Sequence, residues 1–260
     1  MKRLAFAFAL LCHLAFFAGA ADKPVFLYSR HFNAVGEARY LPDGNFKDVL
    51  QRLGKAFDVR VHDKPLTAET LADVSVVLIA NPSDHAVAGH PLPHHFDARD
   101  IAALTGFVQR GGGFIVMGNQ ENHNLEVEDT NKLLRQWGLQ FTNLFTDAKL
   151  LPLPKTTPII GGLRWAYYTG NQVRVEKSHA AKPRALVMND LNIKPAKGPR
   201  DEAGALLAVA EPGRGRVVVV TDAGWVADFA FEEKGVGGVV LKGQDNWEIF
   251  NRLAKWAAGK

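Results

Sequence analysis

The chain has 260 residues, with 31 basic and 27 acidic side chains, nine histidines and one cysteine. That length is enough to enclose one large core. Two of the basic residues, Lys2 and Arg3, belong to a leader-like N-terminus, and without them 29 basic residues face 27 acidic ones. The charge is therefore nearly balanced, and we expect no nucleic-acid partner.

The N-terminus has the pattern of a signal peptide. Lys2 and Arg3 precede an apolar run from Leu4 to Phe17, and residues 18–20 supply the small side chains that signal peptidase recognises. The run is shorter than the about 20 residues of a membrane-spanning helix. We expect residues 1–20 to be removed and residues 21–260 to form a single exported domain, periplasmic or extracellular, without stable membrane insertion.

The only cysteine, Cys12, lies inside this leader. The mature chain would then form no disulfide and would have no thiol nucleophile and no cysteine metal ligand.

Strands and helices alternate in the first half of the predicted mature chain. Apolar and β-branched runs predict strands at Val25–Tyr28, Asp58–Val61 and Val76–Ala80. Apolar residues at spacings of three and four predict a helix over Asp43–Phe57, and Thr67 is a plausible N-cap for a short helix that ends at Val74.

The same alternation continues through the middle of the chain. Asp97 can cap a helix that runs to Arg110, and Gly111 suits the left-handed turn after it. A buried strand follows at Phe114–Met117, and a further helix is predicted over Glu128–Trp137.

The second half has more strand character. Strands are predicted at Ala185–Met188, Ala205–Ala210 and Arg216–Thr221, with Pro212–Gly215 joining the last two as a hairpin. An amphipathic helix over Asp245–Ala258 closes the chain. The whole order predicts an α/β fold: a doubly wound, mainly parallel, flavodoxin-like sheet with a β-rich insertion in the second half.

In such sheets ligands bind beyond the carboxyl ends of the strands. Polar side chains follow several predicted strands, and we expect their tips to converge on one crevice. These residues are Arg30, His31 and Asn33; Asn81, Ser83, Asp84 and His85; Asn119 to His123; and Asp222, with Trp225 shortly after it. Ordinary turn and capping chemistry is the plainer explanation for any one of them.

The segment GGGFIVMGNQENHNLE, from Gly111 to Glu126, is the densest of these. A carboxylate beside an imidazole can transfer protons, so Glu121 and His123 are candidate catalytic residues. Asp222 and His31 complete the candidate catalytic set. The candidate substrate-binding residues are Arg30, Asn81, Asp84, Asn119, Gln120, Lys149, Arg164 and Trp225.

Metal binding is the competing chemistry. His31, Glu121, His123 and Asp222 offer nitrogen and oxygen ligands of the kind that suit Zn or Mn. A separate group of histidines, at positions 85, 90, 94 and 95, lies in a proline-rich loop that also reads as an exposed lid. No established ligand spacing is present, so the sequence assigns no cofactor.

Three stretches carry a family resemblance: LTAETLADVSVVLIANP, DARDIAALTGFVQRGGGFIVMGNQ and LLRQWGLQF. With GRGRVVVVTDAGW and DNWEIFNRLAKWAAG near the C-terminus, they resemble the class I glutamine amidotransferase-like superfamily. The resemblance is closest to its secreted or membrane-linked branches, which are related to trehalose-utilisation and gliding/intraflagellar-transport domains. It covers most of the mature chain, and several such branches are tied to sugars.

The chain departs from that family at its nucleophile. Amidotransferases place a cysteine on a G-x-C-x-G turn, whereas the matching turn here is Gly118-Asn119-Gln120-Glu121. Glutamine hydrolysis through a thioester is therefore excluded, because the turn has no thiol. Two hypotheses stay open: an exported hydrolase or lyase that acts on carbohydrate, and a non-catalytic module that binds a small molecule, an oligosaccharide or a partner. The sequence does not determine the oligomeric state.

Overall fold

The computed structural model describes residues 23–120, 123–142, 149–168, 170–189, 204–231 and 241–260. Its helices are α1 (Lys47–Leu53), α2 (Ala98–Gln109), α3 (Glu128–Leu134) and α4 (Asn246–Ala257). Its strands are β1 (Val25–Ser29), β2 (Asp58–His62), β3 (Val74–Ala80), β4 (Gly113–Met117), β5 (Leu139–Phe141), β6 (Lys149–Pro152), β7 (Arg164–Tyr167), β8 (Val173–Val175), β9 (Arg184–Met188), β10 (Ala205–Ala210) and β11 (Arg216–Val220).

One large mixed sheet organises the fold. Its strands lie in the order β2-β1-β3-β4-β11-β10-β8-β5, and β9 also pairs with β10. The pairs β2/β1, β1/β3, β3/β4 and β4/β11 are parallel. The predicted parallel neighbours β1, β3, β4 and β11 are thus confirmed, and their carboxyl ends meet at one edge.

The other half of the sheet is antiparallel, so the expectation of a mainly parallel sheet is corrected to a mixed, partly parallel one. The turn at residues 212–215 reverses the chain, so that β10 runs antiparallel to β11. Strands β9 and β8 are antiparallel to β10, and β5 is antiparallel to β8. Strands β6 and β7 form a separate two-stranded sheet.

Two apolar cores lie against this sheet. Because successive side chains of a strand point to opposite faces, Phe26 of β1 belongs to one core and Leu27 to the other. The first core takes in buried residues of α1 and α4, such as Val49 and Phe250. The second takes in buried residues of α2 and α3, such as Leu104 and Leu133. Helices therefore cover both faces of the mixed α/β sheet.

Local chemistry explains where the elements differ from the sequence prediction. Helix α1 covers only Lys47–Leu53, and no side chain caps its N-terminus. The predicted helix over Thr67–Val74 is a single turn, in which the amide of Leu71 donates to the carbonyl of Thr67 at 3.1 Å. The hydroxyls of Thr67 and Thr70 bond within that turn, and β3 has already begun at Val74.

Helix α2 begins as predicted. The Asp97 carboxylate accepts from the amides of Arg99 and Asp100, and the Asp100 side chain bonds back to the Asp97 amide as a capping box. Within the described ranges, no helix is long and apolar enough to span a bilayer.

Candidate functional site

Asn81 joins the tips of β3 and β4. It has a left-handed backbone with φ 48°, which places its side chain between two loops. Its amide oxygen accepts from the Asn119 amide at 2.8 Å, and its amide nitrogen donates to the His123 carbonyl at 3.0 Å. The side chain of Asn33 donates in turn to the Asn81 carbonyl at 3.1 Å. Four polar residues of the crevice edge are thus held in one network.

Gly118 explains the sharp turn after β4. A side chain here would place its β-carbon 2.7 Å from the ring of Phe141, which packs against the end of the strand. The Gly118 amide donates to the carbonyl of Val220 in β11 at 2.8 Å. The glycine therefore lets β4 end beside β11 while Asn119 and Gln120 continue along the sheet edge.

A group from two loops forms what we call the strand-tip cluster: Glu37, Arg39, Asn119, Gln120 and His123. Arg39 donates through Nε and Nη2 to the two carboxylate oxygens of Glu37, at 2.8 and 2.5 Å. The Gln120 amide lies 3.4 Å from Nδ1 of His123. Glu37 is buried, whereas the Arg39 side chain is 41% exposed, so Arg39 and the half-buried His123 are the groups that meet solvent.

The electrostatics of the cluster fix its protonation near neutral pH. Burial lowers the pKa of His123 and the nearby Arg39 guanidinium lowers it further, with Glu37 acting in the opposite direction. Burial alone would raise the pKa of Glu37, but the hydrogen bonds from Arg39 outweigh it and hold that pKa below its usual range. His123 is therefore a neutral imidazole beside an ionised Glu37–Arg39 pair.

Tyr40 connects this cluster to Asp222. The Tyr40 hydroxyl accepts from the side-chain amide of Asn119 at 3.1 Å. Burial raises the pKa of Tyr40, with Asp222 among the nearby charges that contribute, so it stays a neutral phenol. The side-chain oxygen of Asn119 is buried without a hydrogen-bond partner.

The lowered pKa of His123 predicts a pH dependence of folding. Between the folded-state pKa and the unfolded value near 6.5, the unfolded chain binds more protons. Stability should therefore be full above about pH 6.5 and fall as the pH is lowered through that window. We expect His123→Gln to have a shallower fall than the wild type in urea denaturation between about pH 7 and pH 5.

His90→Gln is the matched control, since His90 is an exposed histidine of the proline-rich loop. It should keep the wild-type pH profile. An unchanged profile in His123→Gln would mean that the imidazole is no more desolvated in the folded protein than in the unfolded chain.

Asp222 is placed at the strand edge but has no exposed surface. Its carboxylate accepts from the Tyr168 amide at 2.9 Å and from the Gly224 amide at 2.7 Å. These bonds join the ends of β7 and β11 to the turn after β11. Asp222 is thus a buried acceptor of backbone amides, and its expected acid–base role stays a prediction.

His31 lies apart from the strand-tip cluster. Its ring stacks on His94 at 4.2 Å and bonds the Asp63 carbonyl at 3.3 Å. Burial lowers its pKa, His94 lowers it further, and Asp100 of α2 acts in the opposite direction. His31 thus faces the α2 side of the sheet, whereas Tyr40 packs into the core that includes α1 and α4. Of the expected quartet, His31 and His123 thus have different neighbours, and Glu121 lies outside the described residues, so the quartet stays a prediction.

Two other predicted ligand contacts have partners elsewhere. Arg30 pairs with Asp43 at 3.3 Å. The Asp84 carboxylate pairs with His85 at 3.0 Å. Arg30 and Asp84 are both partly exposed, and neither of these ion pairs includes a residue of the strand-tip cluster.

Three further predictions fall outside the cluster. Arg164 starts β7, about 13 Å along the extended strand from Tyr168, and its amide donates to Asp245. Lys149 starts β6, and its side chain is outside the described part of the chain. Trp225 was expected to offer a face to a sugar, but it has no exposed surface and packs edge-to-face on Trp165 at 5.6 Å.

Glu121, the sequence-based candidate for proton transfer, lies outside the described residues. Sequence reasoning missed Glu37, Arg39 and Tyr40, which come from the long loop between β1 and α1. The signal was the charged pair in G-E-A-R-Y, with a proline two residues after the tyrosine. Such a pair in a long loop after a buried strand indicates a functional segment.

Comparisons with known proteins bear on the fold. No family model matches the chain, and no curated protein matches it. Among solved structures, it is similar to the mmIFT52 N-terminal domain, with 16% identity and a TM-score of 0.64, over 91% of this chain and 98% of that one.

Two bacterial structures show the same likeness. A putative ThuA-like protein from Bacteroides uniformis has 12% identity and a TM-score of 0.53, over 91% of this chain and 93% of that one. A cytoplasmic protein from Salmonella typhimurium LT2 has 11% identity and a TM-score of 0.50, over 90% of this chain and 99% of that one. At these identities the likeness is one of fold. The chain has an α/β fold similar to ThuA-like proteins and the IFT52 N-terminal domain, as the amidotransferase-like resemblance implies.

Proposed function

We propose that the strand-tip cluster binds an oligosaccharide or another small polar ligand, and that the chain acts as a binding module. One observation carries this proposal: the cluster has a neutral imidazole and one part-exposed guanidinium at its surface, with the amides of Asn119 and Gln120 buried beside them, while its carboxylate is already ion-paired. Sugar hydroxyls both donate and accept, and such a mixed set of neutral groups complements them.

The state of the carboxylates favours binding over catalysis. Glycoside hydrolysis usually needs two carboxyl groups, one of them able to give up a proton. Glu37 is held ionised by Arg39, and Asp222 is buried beneath two backbone amides. Glu37 is therefore not in the condition of a general acid, and Asp222 has no exposed surface from which to reach a substrate.

The second candidate is the exported carbohydrate-active hydrolase or lyase expected from the sequence. The observation in its favour is His123, which is neutral, half-buried and beside the surface. A neutral imidazole can act as a general base. Its partner in this hypothesis is Glu121, two residues earlier in the chain.

We also infer that the sheet is doubly wound and that the chain is a diverged, exported branch of the amidotransferase-like superfamily. Helices on both faces of the sheet and the likeness to ThuA-like structures over nearly the whole chain support this. The leader-like residues 1–20 support export.

Binding is tested by titrating purified residues 21–260 with a panel of neutral and acidic oligosaccharides in a calorimeter. For any ligand found, we expect His123→Ala and Gln120→Ala each to weaken binding by about tenfold or more, since each loses a hydrogen-bonding group worth roughly 1–2 kcal/mol. Product analysis of the same mixtures distinguishes binding from hydrolysis.

Arg164→Gln is the matched control, because Arg164 lies far from the cluster on β7. Its affinity should equal that of the wild type. Ligand binding that survives both cluster substitutions would place the site elsewhere, and turnover that requires Glu121 would favour the enzyme.

A further inference from the structure

Away from the strand-tip cluster, three ligand-capable side chains converge between the proline-rich loop and the start of α3. These are His95, Glu126 and Asp129, and each offers one nitrogen or oxygen atom within 4.8 Å of the others. His95 precedes α2, whereas the two carboxylates lie at the N-terminal end of α3. We propose that they bind a divalent transition metal such as Zn or Mn.

The spacing of the closest pair already suits one ion. Nδ1 of His95 lies 3.4 Å from Oδ2 of Asp129. Two ligands on a tetrahedral Zn, each about 2.0–2.1 Å from the metal, are separated by about 3.3 Å. A carboxylate oxygen of Glu126 lies within 4.8 Å of a ligand atom of His95 and of one of Asp129.

Each ligand also has the outer partner that metal sites require. Ligating histidines usually donate their other ring N–H to a carbonyl or carboxylate. Here Nε2 of His95 faces the Asp84 carbonyl at 3.3 Å, with an Asp84 carboxylate oxygen at 4.0 Å. This leaves Nδ1, the atom beside Asp129, as the metal ligand.

The carboxylates are held in the same way. Lys132 binds Oδ1 of Asp129 at 2.6 Å, so Oδ2 is left for the metal. Glu126 is buried and accepts three hydrogen bonds: Oε1 from the amide of Asp129, and Oε2 from the amide and hydroxyl of Thr130. A carboxylate has about four lone-pair sites, so Oε1 keeps one for an ion.

Charge favours a cation at this position. Three carboxylates lie beside His95, those of Asp84, Glu126 and Asp129, and they outnumber the single positive charge of Lys132. One imidazole and two carboxylates form a borderline-to-hard ligand set, which suits Zn, Mn or Fe(II). An ion here would tie the proline-rich loop to the loop that ends at Glu126, whose amide donates to Pro82.

The test is a titration of chelator-treated protein with ZnCl2 and with MnCl2, followed by calorimetry and thermal unfolding. We expect one equivalent to bind and, at a hundredfold excess over Kd, to raise Tm by at least about 5 °C.

Two variants locate the site. His95→Gln and Asp129→Asn should each weaken binding by at least about tenfold, whereas His90→Gln, in the same loop, should bind like the wild type. Circular dichroism shows which variants are folded. If His95→Gln does not fold, the metal affinity of Asp129→Asn decides the test. The proposal is overturned if the wild type binds no stoichiometric metal, or if both ligand variants bind as tightly as the control.

Discussion

The Asp222→Ala protein should melt about 5–15 °C below the wild type. The substitution removes the acceptor of two amides, those of Tyr168 and Gly224, at a position with no exposed surface. Each buried donor left without a partner costs about 1–3 kcal/mol, and each kcal/mol lowers Tm by about 2–4 °C in a domain of this size. Thermal unfolding followed by circular dichroism measures the change.

Asp43→Ala is the appropriate control, since Asp43 is an aspartate of an exposed ion pair with Arg30. Its free energy of unfolding should change by no more than about 1 kcal/mol. If instead Asp222→Ala keeps the wild-type Tm but loses an activity that the wild type has, Asp222 is a reactive group and its structural assignment is wrong.

Trp225→Ala is expected to cost about 3–5 kcal/mol of stability. The indole is completely buried and packs edge-to-face on Trp165 at 5.6 Å and on Phe250 at 6.0 Å. Its removal leaves a cavity between Phe250 of α4 and Trp165 of β7 that such large neighbours cannot refill. Urea denaturation measures the loss as a lower midpoint at unchanged m-value.

Trp247→Ala provides the comparison, because Trp247 is only partly buried and lies under the Arg52 guanidinium at 5.8 Å. The Trp247→Ala substitution should lower the free energy of unfolding by about 1 kcal/mol. A Trp225→Ala protein as stable as Trp247→Ala, with weakened sugar binding, would restore Trp225 as a ligand platform.

The predicted elements that matched the structure share strong local signals. Strand β3 contains the continuous apolar run Val76–Ala80, β4 is apolar throughout, and α2 has a capping box at Asp97. Strands β5 and β8 are only three residues long, each with one polar residue between two apolar ones, and nothing local distinguishes such a short segment from a loop. The antiparallel β10–β11 hairpin was predicted from the turn at Pro212–Gly215 and is confirmed. The pairings of β8 with β10 and of β5 with β8 join segments too short for periodicity to predict.

The candidate site, too, was predictable from the sequence only in part. The crevice rule located Asn81 and Asn119 correctly at one sheet edge, because parallel strands share that edge. The rule does not predict which way a side chain points once the chain has left the strand. Whether Asp222 faces solvent or backbone amides, and whether His31 turns towards α2, depends on loop packing. Arg39 reaches the cluster only because the loop after β1 folds back.

The position of β11 has a consequence for the order of folding. It lies in the middle of the sheet, with Val220 paired to Met117 on one side and Leu207 on the other. During synthesis, β1 to β4 emerge long before β11. One edge of β4 therefore stays unpaired until β11, which is far along the chain, has been made. Such non-local pairing slows folding and leaves a hydrophobic edge open to aggregation. The nascent chain should therefore be most dependent on chaperones until the β10–β11 hairpin has been made.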